Sequence, residues 1–144
     1  EEKKKFYKGW MYTADLGYWD EHLYVTVNGR KDDMIVSSAE NIYPTQIEEI
    51  INEFDKVADS IVTAVPDKVR GQAAVAYVVA KDPSLTIAEL SQYCSDHPML
   101  SAYKKPRWFA IVDELPHTAT GKKIHYIMRE RAEEDLKNGL LKRK

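Results

Sequence analysis

The segment Pro116-His-Thr-Ala-Thr-Gly121-Lys122-Lys123 sets small side chains, a glycine and a lysine directly ahead of a helical pattern. Such a loop can carry a flexible cation to an anionic ligand, although the GxxxxGK[ST] spacing of a phosphate-cradling loop is absent. A solvated turn before a helix is the plain alternative. Arg30-Lys31-Asp32-Asp33 follows Asn28-Gly29, and an acidic residue beside an arginine can hold a hydroxyl-rich group such as a ribose or simply solvate a loop. Asp15, after an aromatic stretch, has the same two readings. Ser37-Ser38-Ala39 permits close backbone approach to a ligand or to another strand. Tyr103-Lys104-Lys105-Pro106-Arg107 gathers three cations beside an aromatic ring, which suits phosphates and a stacked base as well as a charged strand entry. His22, His97, His117 and His125 lack metal-ligand spacing and read as surface residues.

These groups belong to 144 residues with 21 Lys and Arg against 23 Asp and Glu, a formal net charge of −2. That balance excludes the uniformly basic surface of a nucleic-acid coat. The charge is unevenly spread: residues 104–144 hold 11 cations and 6 anions, so anion-binding chemistry is expected near the C-terminal end. Cys94 stands alone and can form no internal disulfide. No apolar run reaches the roughly 20 residues that span a bilayer, so a soluble, cytoplasmic chain without a transmembrane segment is expected.

Positioning these residues requires ordered elements, and periodicity outlines them. Leu16 to Trp19 and Leu23 to Val27 read as a hairpin, with Asn28-Gly29 as the turn that ends it. Such a hairpin is marginal alone and needs a surface to lie on. Met34 to Ser37 is a short strand. Ile47, Ile50, Ile51 and Phe54 form one helical stripe, entered through Pro44 and a Thr45/Glu48 capping box. Val57 to Val65 is a strand, and the continuous apolar run Ala73 to Ala80 reads as central and covered. Thr86 and Glu89 cap a helix whose inner face is Ile87, Leu90 and Cys94. Arg107 to Val112 is a third strand of this part, and Ile124, Met128, Ala132 and Leu136 line a last helix that stops at Asn138-Gly139. The order predicts an α+β fold with a short mixed sheet layered against helices.

Several blocks occur in an order that carries a resemblance. GWMYTADLGYWDE, GRKDDMIVSSAENIYPTQIEEII, VPDKVRGQ, YKKPRWFAIVDELP and LPHTATGKKI together resemble the C-terminal part of the AMP-forming acyl-CoA synthetases, within the adenylate-forming superfamily. The resemblance implies that residues 1–29 are the end and linker of a large N-terminal domain, a β-hairpin that leads into a small C-terminal lid over residues 30–144. By the same resemblance Asp15 and Arg30 bind the ribose of ATP and of the adenylate, and Asp32 is the hinge about which the lid rotates. Lys122 is the catalytic lysine that meets the carboxylate and α-phosphate, with Lys123 an extra residue beside it. Ser38, Ala39, Glu40, Arg70, Tyr103, Lys105 and Arg107 match positions that meet CoA.

What the resemblance implies for the longer protein is ligation of a carboxylic acid, fatty or aryl, to CoA. ATP, Mg2+ and CoA serve as cofactors, and the partner is the chain's own N-terminal domain. The lid alone is expected to be inactive and to hold no metal. Transfer to a carrier protein, as in peptide-synthetase adenylation domains, and a non-enzymatic nucleotide-binding or interaction module are the other readings. Two departures stand out. Ala14 replaces a glycine, which is harmless if φ there is negative. Ser38-Ala39 replaces a glycine pair and adds bulk where pantetheine would pass.

Overall fold

The structure is a computed structural model and describes residues 6–143. Two small antiparallel hairpins come first: β1 (Phe6–Tyr7) with β2 (Trp10–Met11), and β3 (Asp15–Trp19) with β4 (Val25–Arg30). Neither hydrogen-bonds to the main sheet. Asn28-Gly29 is not the turn that ends the second hairpin. β4 runs on through it to Arg30, and the register shifts between Leu16 and Gly17, leaving Asn28 as the bulged residue. Gly17 is obligatory there, since a Cβ would lie 2.5 Å from the Thr26 carbonyl oxygen.

The main body continues with β5 (Ile35–Ser37), β6 (Glu40–Ile42), α1 (Pro44–Asn52), β7 (Val57–Asp67), β8 (Gly71–Ala80), α2 (Ile87–Asp96), β9 (Trp108–Val112) and α3 (His125–Lys137). β8 is the centre of a five-stranded mixed sheet. It pairs antiparallel with β7 along its whole length on one side; on the other, β9 runs parallel to residues Val75–Val79 and β5 meets Gly71. β6, which the sequence pattern did not separate from the following loop, pairs with β5.

The unbroken apolar run of β8 has a direct cause. Ala74, Ala76 and Val78 face one core with Ile47 and Ile51 of α1 and Leu90 and Cys94 of α2, while Ala73, Val75 and Tyr77 face another with Met128 and Ala132 of α3. A strand buried on both faces needs apolar residues at every position. Each fully buried Val, Leu, Ile or Met among them contributes about 1.5–3 kcal/mol relative to its exposed state, and each alanine less. The thiol of Cys94 sits in this interior, where burial pushes its pKa up to about 12, with Lys105 acting in the opposite sense.

The helix signals divide. Thr86 and Glu89 form the expected reciprocal capping box on α2. Thr45 and Glu48 do not: the N-cap of α1 is Tyr43, without a side-chain cap bond, although Pro44 does occupy the first turn. Tertiary partners take both side chains. Thr45 Oγ1 donates to the Asn28 carbonyl at 2.9 Å, and Glu48 Oε1 accepts from the Val62 N–H at 2.8 Å. Phe54 lies past the end of α1 and stacks on Tyr93, ring centroids 4.6 Å apart.

Candidate functional site

β3 and β4 place Asp15 directly opposite Arg30, and their charged groups lie 3.5 Å apart. Both are about half exposed, so each keeps capacity for a ligand hydroxyl. Ala14, next to Asp15, has φ 65, not the negative φ under which alanine is an innocent replacement for glycine. Its carbonyl accepts from the Lys31 N–H at 2.7 Å, which ties this strained residue to the segment after Arg30. Asp32 follows in a turn, and its carbonyl accepts from Arg129 of α3 at 2.6 Å. Arg129 also pairs with the Asp33 carboxylate at 3.2 Å.

The lysine loop closes on itself before α3. Thr118 N–H donates to the Lys122 carbonyl at 2.7 Å, Gly121 N–H to the Thr118 carbonyl at 2.9 Å, and His117 pairs with Lys123 as an antiparallel bridge. Gly121 takes φ 83, which suits glycine. Lys122 is exposed and makes no side-chain hydrogen bond or ion pair among the described residues. Lys123 is not an idle extra residue: its ammonium lies 3.0 Å from Asp59 and 3.4 Å from Glu48. Arg30, Asp32 and Lys122 line one cleft of about 630 Å³, whose wall continues through Thr45, Thr118 and Arg129.

A second face forms at the opposite end of β7. Ser38 and Ala39 are the two loop residues between the paired Ser37 and Glu40, with φ 53 and 65. A two-residue hairpin turn with positive φ at both central positions is of type I′, which favours glycine and asparagine. Backbone conformation therefore accounts for a glycine pair at this place, apart from any demand of a passing ligand. The Ser38 N–H donates to the Arg70 carbonyl at 2.9 Å, so the turn docks on the β7–β8 connection. Replacing both residues by glycine relieves two left-handed side-chain positions at about 1–2 kcal/mol each and adds about 0.5–1 kcal/mol of chain entropy each. Ser38→Gly/Ala39→Gly is therefore expected to gain about 1–2 kcal/mol in urea unfolding. An unchanged or lowered midpoint would contradict the strain.

Three other positions expected to meet CoA, Tyr103, Lys105 and Arg107, already have partners within the chain. Arg107 lies 3.5 Å from Asp67, whose pKa is held below the usual carboxylate range by the N–H groups of Arg70 and Val69 and by the nearby guanidinium groups. Lys105 donates to the Ser95 carbonyl at the end of α2, at 2.8 Å, and Tyr103 packs against the α1/α2 core. The structure thus brings Ser38, Ala39, Arg70 and Arg107 to the two connecting turns at one end of the sheet, and sets Tyr103 and Lys105 by α2.

The AMP-binding enzyme C-terminal domain model matches residues 46–122, just over half of the chain. This chain belongs to that family. The AMP-binding C-terminal domain is 40% identical over 126 residues to a 2-succinylbenzoate–CoA ligase of Listeria monocytogenes, covering 88% of this chain and 26% of the relative. Among solved structures, o-succinylbenzoate CoA synthetase of Bacillus subtilis, in complex with its acyl-adenylate intermediate, matches with TM-score 0.80 and 35% identity over 88% of this chain and 25% of that one. ATP-bound MatB of Rhodopseudomonas palustris gives TM-score 0.81 and 32% identity over 92% and 26%. The chain spans about a quarter of the length of the relatives it matches.

In this AMP-binding C-terminal domain, sequence reasoning missed one cluster altogether. Glu48, only 5% exposed, accepts from Val62 N–H and lies 2.6 Å from His125 Nε2; Asp59 accepts from Ser60 N–H and lies 3.3 Å from His117 Nε2. Lys123 joins the two carboxylates. His125 and His97 are therefore not surface residues, with side chains 13% and 18% exposed. The capping-box spacing of Thr45 and Glu48 offered a local role for Glu48 and so hid it; for Lys123 the available signal was a charged residue with no local partner to explain it.

His125 makes stability depend on pH. Burial disfavours its charged form, but the hydrogen bond and charge of Glu48, helped by Asp33 and opposed by Lys123, hold its pKa above the usual histidine value. A raised folded pKa contributes stability fully below the unfolded value of about 6.5, lost as pH rises through the folded value. Melting temperature is expected to fall as pH is raised across that window, and His125→Gln to flatten the fall. An equally steep fall in the variant would locate the titration elsewhere.

Proposed function

We propose that the chain is the C-terminal lid of an ATP-dependent, AMP-forming acid–CoA ligase, and that it serves two half-reactions by turning about Asp32. The observation that carries this reading is a separation. The lysine loop is anchored at Asp59 and the Ser38–Arg70 turns lie beside Asp67, eight residues further along β7, or about 26 Å at about 3.3 Å per residue. One active site cannot meet both ends at once. A rotating lid presents the free Lys122 cation while carboxylate and α-phosphate combine, then the small-residue turns when a thiol must reach the acyl carbonyl.

Within that scheme the Asp15 carboxylate accepts from the ribose hydroxyls and the Arg30 guanidinium donates to them. ATP, Mg2+ and CoA are substrates and cofactors of the longer protein in this reading. No described helix is long and apolar enough to cross a membrane. Residues 1–29 belong, in this reading, with that larger domain. The exposure of Trp10, Tyr18, Trp19, Tyr24 and Val25 on two hairpins supports it, since so many large apolar side chains left in water on so small a segment favour burial against another surface.

The longer enzyme is expected to release AMP and pyrophosphate in an acid-dependent way and to yield the CoA thioester, with this chain alone inactive. Thioester formed only on a carrier protein would assign the peptide-synthetase-type reading, and no acid-dependent release at all would leave a binding module.

A further inference from the structure

We infer that Lys123 is a positioning residue that sets which of the two adjacent lysines the loop presents. Lys122 and Lys123 are chemically equal, and a slip of one residue in the returning strand of the loop would exchange them, because successive side chains of an extended segment point to opposite sides. The pair of carboxylates resolves the ambiguity. Both lysines line the cleft, but Asp59 and Glu48 hold the Lys123 ammonium at 3.0 and 3.4 Å against its wall, and the neighbouring Lys122 is left exposed with no side-chain partner among the described residues. The same two acids also grip His117 at 3.3 Å and His125 at 2.6 Å, so both feet of the loop are fastened to β7 and α1.

The role is one of register, not of holding the domain together. Without Lys123, Glu48 retains His125 and the Val62 N–H, and Asp59 retains His117 and the Ser60 N–H. Both acids stay partnered, and the cores on either side of the sheet do not include Lys123. Loss of the lysine therefore loosens the loop before it loosens the fold.

The structural part of this inference stands on the loop alone; its functional part rests on the adenylation reading above. In this chain, Lys123→Met is expected to lower the heteronuclear NOE of the Thr118, Gly121 and Lys122 amides while exchange protection of Val75–Val78 is unchanged. In the longer enzyme the same substitution is expected to slow acyl-adenylate formation about ten- to a hundredfold, as misplacement of a reacting group does. Thioester formation from supplied adenylate should keep its rate, and Lys123→Arg should recover most of the loss. Unchanged loop amides in Lys123→Met, or equal slowing of both half-reactions, would overturn the role. If Lys123→Met does not fold, Asp59→Asn, which keeps an acceptor for Ser60, is read by the same two measurements. A Lys122→Ala enzyme with normal adenylation would instead overturn the adenylation reading, and the loop amides would still decide the case of Lys123.

Discussion

If Lys122 has the proposed role, Lys122→Ala in the longer enzyme is expected to lower the rate of acyl-adenylate formation by about 10²–10³-fold and to leave thioester formation from supplied acyl-adenylate at its original rate. The size follows from the work proposed for this cation. Attack of a carboxylate on an α-phosphate brings two anions together, and a positioned ammonium stabilises the charge that concentrates between them in a site with little water. The selectivity follows from geometry. Lys122 has no intramolecular partner among the described residues, so its removal strands no buried acid and costs the fold little. It also lies at the far end of β7 from the Ser38–Arg70 turns, so the face proposed for thiol transfer is not expected to feel its loss. Acid-dependent ATP–pyrophosphate exchange measures the first half-reaction, and CoA consumption with preformed adenylate measures the second. Equal loss in both would remove Lys122 from its assigned role.

Glu48→Ala is expected to destabilise the domain by about 3–5 kcal/mol, the range for removing one partner of a buried charge cluster. Glu48 is where α1, β7, the lysine loop and α3 meet: it accepts from Val62 N–H, from His125 and from Lys123. Alanine leaves a buried N–H without an acceptor and two cationic groups with one fewer anion among them. Glu48→Gln keeps an acceptor for Val62 and removes only the charge, so its expected cost is smaller, about 1.5–3 kcal/mol. Urea unfolding of both variants orders them, and a Glu48→Ala midpoint equal to the parent's would refute the anchoring role.

Much of the architecture was legible along the chain because its causes are local. Alternating burial of β8 against two cores demands a continuous apolar run, and that run is visible without coordinates. Pro44 opens a helix, Thr86 with Glu89 caps another, and Gly139 past α3 takes φ 69. The same local grammar misled where a distant partner outbid it. Thr45 and Glu48 have capping-box spacing, yet Asn28 and Val62 claim their side chains. Asn28-Gly29 has turn chemistry, yet the strand continues through it as a bulge because Leu16 pairs with Gly29 and Gly17 with Val27.

Sequence alone determined the family, and it singled out Asp15, Arg30, Asp32 and Lys122 as candidates because the motifs that hold them are short stretches whose residue types carry the resemblance. Only the tertiary structure decided which lysine is free and which is held, and why a glycine pair would suit positions 38 and 39. The deciding partners lie far apart in the chain: His125 is 77 residues from Glu48, and Lys123 is 75 residues from it. No pattern of spacing reports such a pairing, because it exists only once α3 and α1 have packed on β7 and closed the distance between them.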